Sequence, residues 1–282
     1  MWKTLISAEQ LAGLLGSERL VVVDATTSVA DPDAAEADYR EGHIPGAHFA
    51  DLPRDLSGAH TPGAGRHPWP DDAHACAVLG RWGVTPEHQV VVYDGGDGAL
   101  AAARAWFVLR TLGHERVAVL DGGLARWRAL ALPLERSVPA PSAGAPYRGR
   151  FDRSRLLDSA QVQAHLADGG MLIDARAAER FRGEYEHLDR AAGHVPGARS
   201  RPFVTNLRDG RFKPAEELAA EFRALLGDMP AERTAVMCGS GVTACHHLLA
   251  MEHAGLPGAK LFTGSWSGWL EDPARPIARG AD

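Results

Sequence analysis

The chain is short of cysteine, of net positive charge and of long apolar runs, and each shortage excludes something. Three cysteines in 282 residues are too few, and odd in number, for a disulfide framework; this usage fits a reducing compartment, the cytoplasm. A formal net charge of −6 argues against a polyanion-binding surface, so no nucleic-acid partner is expected. No stretch reaches the roughly 18 apolar residues that a membrane span needs. The opening MWKTLISAEQLAGLLG does not read as a signal peptide, because Glu9 and Gln10 interrupt its apolar run. Ser7 and Gln10 instead have the spacing of a capping box on a short helix.

What the chain does have is a repetition. VVVDA at 21–25 followed by GHIPGA at 42–47 returns as MLIDA at 171–175 followed by GHVPGA at 193–198. Each copy continues in parallel. VVVYDGG (90–96) leads through a helical stretch to RVAVLDGG and Trp127, and TAVMCGS (234–240) leads through another to AKLFTGS and Trp269. Short β-branched runs alternating with helical periods predict parallel strands joined by helices, the α/β class. Gly113 and Gly255 fall where a glycine just past a helix end belongs. Between the copies, 135–150 is rich in Pro, Ala, Gly and Ser without periodicity and reads as a linker. We therefore expect domains at 1–134 and 151–282.

The copies differ at one informative place. Aligning the strand ends sets Asp94 opposite Cys238, a carboxylate against a thiol. Open α/β sheets place ligands beyond the carboxyl ends of their strands. Around Cys238 the loop Gly239, Ser240, Gly241, Val242, Thr243 lets the backbone curl with N–H groups turned toward the sulfur, and a helix is expected to start near Ala244. Both effects favour thiolate over thiol. Cys76 and Cys245 read as small core hydrophobes, and Asp24, Asp174 and Arg176 as loop-holding residues.

Three other readings of the loop fare worse. G-S-G-V-T-A matches a dinucleotide-binding fingerprint, but no acid stands about 20 residues on, at the next strand end. A cysteine phosphatase needs an arginine six residues after its cysteine, and Ala244 stands there. Cys245, His246 and His247 are consecutive on a helix and cannot face one metal centre.

With Cys238, the paired GHIPGA and GHVPGA and the terminal GSWSGW in hand, the chain resembles the two-domain rhodanese-type sulfurtransferases over about 5–277. The resemblance implies two tandem rhodanese-like domains, each a central parallel sheet flanked by helices, with only the second catalytic. It implies that Cys238 takes a sulfane sulfur from 3-mercaptopyruvate or thiosulfate as a persulfide. Cyanide, a thiol or thioredoxin then removes that sulfur, with no cofactor and no metal. The rival class is a non-catalytic rhodanese-type module that binds a partner or senses oxidants.

The loop from Cys238 to Ala244 carries no Lys or Arg and looks like the mercaptopyruvate type, with Ser240 beside the sulfur or the donor carbonyl. Arg180 matches a family substrate arginine, with Arg182 as a possible helper. His67 matches a cleft histidine, although a lone loop histidine reads equally well as a solvated one. The family's active-site aspartate falls at Pro53, leaving Asp51 and Asp55 as neighbouring acids, of which Asp51 is taken as a candidate for substrate binding. Arg190 is the nearest counterpart of a second substrate arginine. The net negative charge does not exclude an anionic donor. At ~20 Å it acts with about 0.2 kcal/mol after screening, whereas one arginine at ~4 Å is worth about 4 kcal/mol per charge.

Overall fold

A computed structural model describes residues 1–28, 32–142 and 147–281; positions 143–146 of the expected linker and the last residue of the expected second domain lie outside them. The chain forms two compact units. One comprises Met1–Gly58, Pro70–Asp152 and Asp209–Phe212, and the other Ala59–Trp69, Arg153–Arg208 and Lys213–Asp282. Each unit therefore takes a short segment from the opposite half of the sequence.

In the first unit the elements run β1 (Leu5–Ile6), α1 (Ala8–Ala12), β2 (Leu20–Asp24), α2 (Pro32–Glu41), β3 (Ala47–Phe49), α3 (Leu52–Asp55), α4 (Asp72–Arg81), β4 (Gln89–Tyr93), α5 (Ala102–Thr111), β5 (Val117–Leu120) and α6 (Gly123–Ala129). Its five strands pair in the order β1-β5-β4-β2-β3, all parallel. After β6 (Leu156–Leu157), α7 (Ser159–Ala167), β7 (Met171–Asp174), α8 (Ala178–Arg182) and β8 (Ala198–Ser200) come two short strands, β9 (Leu207–Arg208) and β10 (Arg211–Phe212). Then follow α9 (Ala215–Leu226), β11 (Thr234–Met237), α10 (Ala244–His253), β12 (Lys260–Phe262) and α11 (Ser265–Leu270). The second sheet repeats the first in the order β6-β12-β11-β7-β8. Both central strands, Val90–Tyr93 of β4 and all of β11, are buried, as parallel strands covered by helices on both faces must be.

Local chemistry explains the element ends. Ser7 Oγ accepts from Gln10 N–H at 3.2 Å while Gln10 Oε1 accepts from Ser7 N–H at 3.0 Å, completing the expected capping box. Asp158 and Gln161 repeat it at the start of α7. Gly113 (φ 94°) and Gly255 (φ 72°) take the left-handed turn that ends α5 and α10. The two GH-I/V-PGA segments prove to be fold devices. His43 stacks on Tyr39 at 3.9 Å and bonds its carbonyl oxygen; His194 stacks on Phe181 at 3.7 Å and does the same. Asp24 accepts from Thr26 N–H, and Asp174 holds Arg176 through its N–H and guanidinium, as the sequence suggested. Among the described residues no helix is long and apolar enough to cross a membrane.

Behind α10 lies a buried polar network. Asn206 Nδ2 donates to His246 Nδ1 at 3.0 Å and to His247 Nδ1 at 2.9 Å, and His247 Nε2 donates to the Arg201 carbonyl at 2.6 Å. The two helix histidines are thus packed in the fold. Burial, reinforced by the Arg201 charge, holds the His247 pKa well below the ordinary imidazole range. In acid the unfolded imidazole takes a proton that the folded one refuses, so stability falls as pH drops below about 6.5. The His247→Gln variant should be less stable near neutrality. It should also lose up to about 1.4 kcal/mol per pH unit of that acid slope. Urea unfolding between about pH 7 and pH 5 checks this, and an unchanged slope contradicts it.

Candidate active site

Cys238 is the first residue past β11, the central strand, and Asp94 holds the same place past β4. The Asp94 carboxylate accepts from the N–H groups of Gly96, Gly98, Ala101 and Ala102 at 3.0–3.3 Å. The strand-end loop of this fold is therefore an anion cradle, and the first copy fills it with its own side chain. In the second copy the loop 239–243 is two residues shorter and carries no such plug. Among the described residues, the N–H groups of buried Gly239, Ser240 and Val242 have no oxygen or nitrogen acceptor. A buried amide left unpaired costs about 1–3 kcal/mol, which an anion accepting from these three would recover. Cys238 itself is only 4 % exposed, so any reactant must enter the loop to reach it.

The Cys238 N–H does not join the cradle. It donates to Ser265 Oγ at 3.1 Å, and that hydroxyl donates to the Phe262 carbonyl at 3.0 Å. Ser265 is fully buried with φ 50°, in the left-handed region that a non-glycine residue enters only at a cost of about 1–2 kcal/mol. Its counterpart in the first copy is Gly123 (φ 53°), where a Cβ would lie 2.2 Å from the Gly96 carbonyl oxygen. The same geometry fixes the loop in both copies: Leu124 and Ala125 N–H donate to Asp94 and Gly95, and Trp266 and Ser267 N–H to Cys238 and Gly239. Two hydrogen bonds at about 1 kcal/mol each offset the strain at Ser265.

The segment 59–69 belongs to the same unit as Cys238. Main chain meets main chain there, with glycine on both sides. A Cβ on Gly65 would lie 2.5 Å from the Gly264 carbonyl, and one on Gly268 2.4 Å from the Gly63 carbonyl. Glu271 accepts from the N–H groups of Gly63 and Gly65 and from His60, and Ser267 Oγ accepts from Arg66 N–H at 3.1 Å. Burial pushes the Glu271 carboxyl up, but these donors outweigh it and hold the group below its ordinary range. So anchored, the segment delivers two side chains to the loop. His67 Nδ1 lies 2.8 Å from Ser240 Oγ. Arg66 Nη2 lies 3.0 Å from the point a Cβ on Gly239 would occupy, with Arg180 Nη2 and Nη1 at 3.6 and 3.8 Å.

The sequence candidates thus divide. Cys238 to Thr243, His67 and Arg180 come together. Arg182 does not: two residues from Arg180 on α8 it points to another side, and its guanidinium pairs with Glu184 at 2.7 and 2.8 Å on the surface. Asp51 lies in the other unit, where its carboxylate caps α3 by accepting from Arg54 N–H at 2.7 Å. Asp55, in that unit too, is buried against Arg54 and Arg81. Arg190 donates to the Leu270 carbonyl. Arg66, Ser265 and Glu271 were missed. Among the described residues no group of three or more His, Cys, Asp or Glu is placed to hold a metal ion.

Comparison with known proteins agrees with this geometry. The sequence profile of the rhodanese-like domain matches residues 7–130 and again 158–272. The chain belongs to the rhodanese family. It is 48% identical over 280 residues to a probable 3-mercaptopyruvate sulfurtransferase of Pseudomonas aeruginosa, covering 98% of each chain. It is 35% identical over 278 residues to a thiosulfate sulfurtransferase of Gallus gallus, covering 95% of this chain and 93% of that one. The crystal structure of the 3-mercaptopyruvate sulfurtransferase SseA from Escherichia coli superposes with a TM-score of 0.78 at 33% identity, over 94% of this chain and all of that one. The rhodanese loop, with its unfilled cradle, is confined to the second copy.

Ser265 gives this rhodanese loop a direct test. Ser265→Ala keeps the strain and strands the Cys238 N–H, so it should destabilise the protein by about 2–3 kcal/mol. Ser265→Gly relieves the strain as it loses the bonds and should stay within about 1 kcal/mol of wild type. Both should slow any chemistry at Cys238. Chemical denaturation of the pair checks the order, and equal stabilities contradict it.

Proposed function

We propose that the protein is a sulfurtransferase that carries a sulfane sulfur on Cys238, with 3-mercaptopyruvate as its preferred donor and thiosulfate as the competing one. The carrying observation is the convergence of an unfilled amide cradle, a His67–Ser240 pair and two guanidiniums on one cysteine-bearing loop. Relatives named for each donor support the class.

The Cys238 thiolate attacks the donor sulfur. A sulfur–sulfur bond forms, and the carbon–sulfur bond of 3-mercaptopyruvate breaks with its electron pair moving to carbon. The enolate of pyruvate so formed is protonated as it leaves. In this reading Ser240 donates to the oxygen on which enolate charge develops, and His67, 2.8 Å from its hydroxyl, stabilises and replenishes that proton. Arg180 holds the donor carboxylate. In the second step a nucleophile (cyanide, a thiol or thioredoxin) attacks the outer sulfur, and the electron pair of the sulfur–sulfur bond returns to Cys238. The loop amides receive the negative charge of the persulfide between steps. The chemistry belongs to the second copy, residues 151–282, because in the first, 1–134, Asp94 fills the cradle. Three free cysteines suit the cytoplasm.

Thiocyanate formation from cyanide, measured with each donor in turn, tests the proposal. Wild type should turn over 3-mercaptopyruvate faster than thiosulfate. Cys238→Ser should be inactive with both. Ser240→Ala should lose roughly 10²-fold in kcat with 3-mercaptopyruvate while retaining more of its thiosulfate activity, since thiosulfate forms no enolate. Activity in Cys238→Ser would sink the mechanism, and a thiosulfate preference would reverse the donor assignment.

A further inference from the structure

The donor's charge has to be held beside a loop that contributes no cation of its own. Arg180 on α8 and Arg66 on the segment 59–69 lie far apart in sequence, yet both aim at Gly239, the residue after Cys238. Each is oriented from behind by a carboxylate. Arg180 donates from Nε and Nη2 to Glu186 at 3.0 and 2.8 Å and from Nη2 to Asp189 at 3.3 Å, while Arg66 Nη1 pairs with Asp189. The Glu186 and Asp189 side chains are 2 % and 4 % exposed, so the two carboxylates are part of the interior. An arginine at a surface usually points its charge into water. Here Arg180 is 15 % exposed and Arg66 34 % exposed, both reach toward Gly239, and among the described residues neither Arg66 Nη2 nor Arg180 Nη1 has a hydrogen-bond acceptor in the protein.

Gly239 is what allows the approach. A side chain there would press on Arg66 at 3.0 Å and occupy the space the two guanidiniums face. Gly239, the first residue of the cradle loop, thus has both guanidiniums within 4 Å of where its Cβ would be. The geometry selects the ligand. Arg66 and Arg180, with Asp189 and Glu186 behind them and Arg176 also pairing with Glu186, offer two forward N–H groups. A planar carboxylate can accept from both at once.

We infer that Arg66 is a donor-binding residue: with Arg180 it forms a two-arginine clamp for the carboxylate of a small monoanionic sulfur donor, and Asp189 and Glu186 aim the clamp. This rests on the sulfurtransferase reading of the Cys238 loop and extends it to specificity. Arg190 supplies no second guanidinium, because it is committed to the Leu270 carbonyl.

Calorimetric titration of the full chain with pyruvate tests the clamp apart from catalysis, because pyruvate carries the carboxylate but no sulfur. Arg66→Ala should bind pyruvate at least about tenfold more weakly than wild type, and Arg66→Lys should fall between, since an ammonium keeps the charge without the planar fork. The main-chain contacts of Gly63, Gly65 and Arg66 hold the segment without the arginine side chain, so both Arg66 variants should unfold close to the wild-type temperature. Pyruvate affinity unchanged in Arg66→Ala, or no saturable binding by wild type, overturns the clamp. Sulfate bound as tightly as pyruvate overturns the choice of a monocarboxylate. Sulfur loading of Cys238 is a separate readout: its absence would end the sulfurtransferase reading and leave the binding result standing.

Discussion

The chemistry of this protein depends on two stretches of main chain passing each other with no side chain between them. The Gly63 carbonyl and Gly65 on one side, Gly264 and Gly268 on the other, approach so closely that a methyl group on Gly65, Gly264 or Gly268 would overlap a carbonyl oxygen. Glu271 and Ser267 then bind the exposed N–H groups of the arriving segment. Because the contact is backbone to backbone, it fixes Arg66 and His67 with little freedom left to them. An error of about 1 Å there would separate His67 from Ser240 and shift Arg66 relative to Gly239, the kind of misplacement that costs about 10²-fold in rate where chemistry depends on it.

The two copies show how a duplicated fold keeps its frame and changes its content. Sheet order, capping boxes, stacked histidines, tryptophan anchors and the donation from the last helix into the strand-end loop all recur. The divergence sits at one strand end. A carboxylate satisfies the amide ring in the first copy. In the second copy a shorter loop leaves amides unpaired, and a serine replaces the glycine that the first copy needs at the left-handed position. The free energy withheld from folding by those unpaired amides would be recovered by an anion bound there.

Much of the fold was legible in the sequence because its signals are local. The β-branched runs, the capping serine and the glycines after α5 and α10 act within a few residues of themselves, and the repeat announces itself by similarity alone. Cys238 was legible for the same reason, through the glycines beside it. Arg180 was found through a family resemblance and Arg182 through mere adjacency, which a helix turns away. Asp51 stood near an expected acid, yet its local geometry as an N-cap claims the carboxylate first. Arg66, Ser265 and Glu271 gave no local signal. The roles of Arg66 and Glu271 arise from contacts between segments about two hundred residues apart, and that of Ser265 from a strand end 27 residues away; only the unusual glycine density of 63–65 and 264–268 hinted that two backbones had to meet.

The central claim is that sulfur is received at Cys238 because this backbone contact brings the donor-holding groups to its loop. Peptide-resolved mass measurement after brief exposure to 3-mercaptopyruvate, comparing wild type with Gly65→Ala, tests it most directly. The account predicts one added sulfur atom on the peptide that carries Cys238 in the wild type. In a folded Gly65→Ala protein it predicts loading slowed by about 10²-fold or more. A wild type that gains no sulfur there, or a Gly65→Ala variant that loads as fast as wild type, would contradict it.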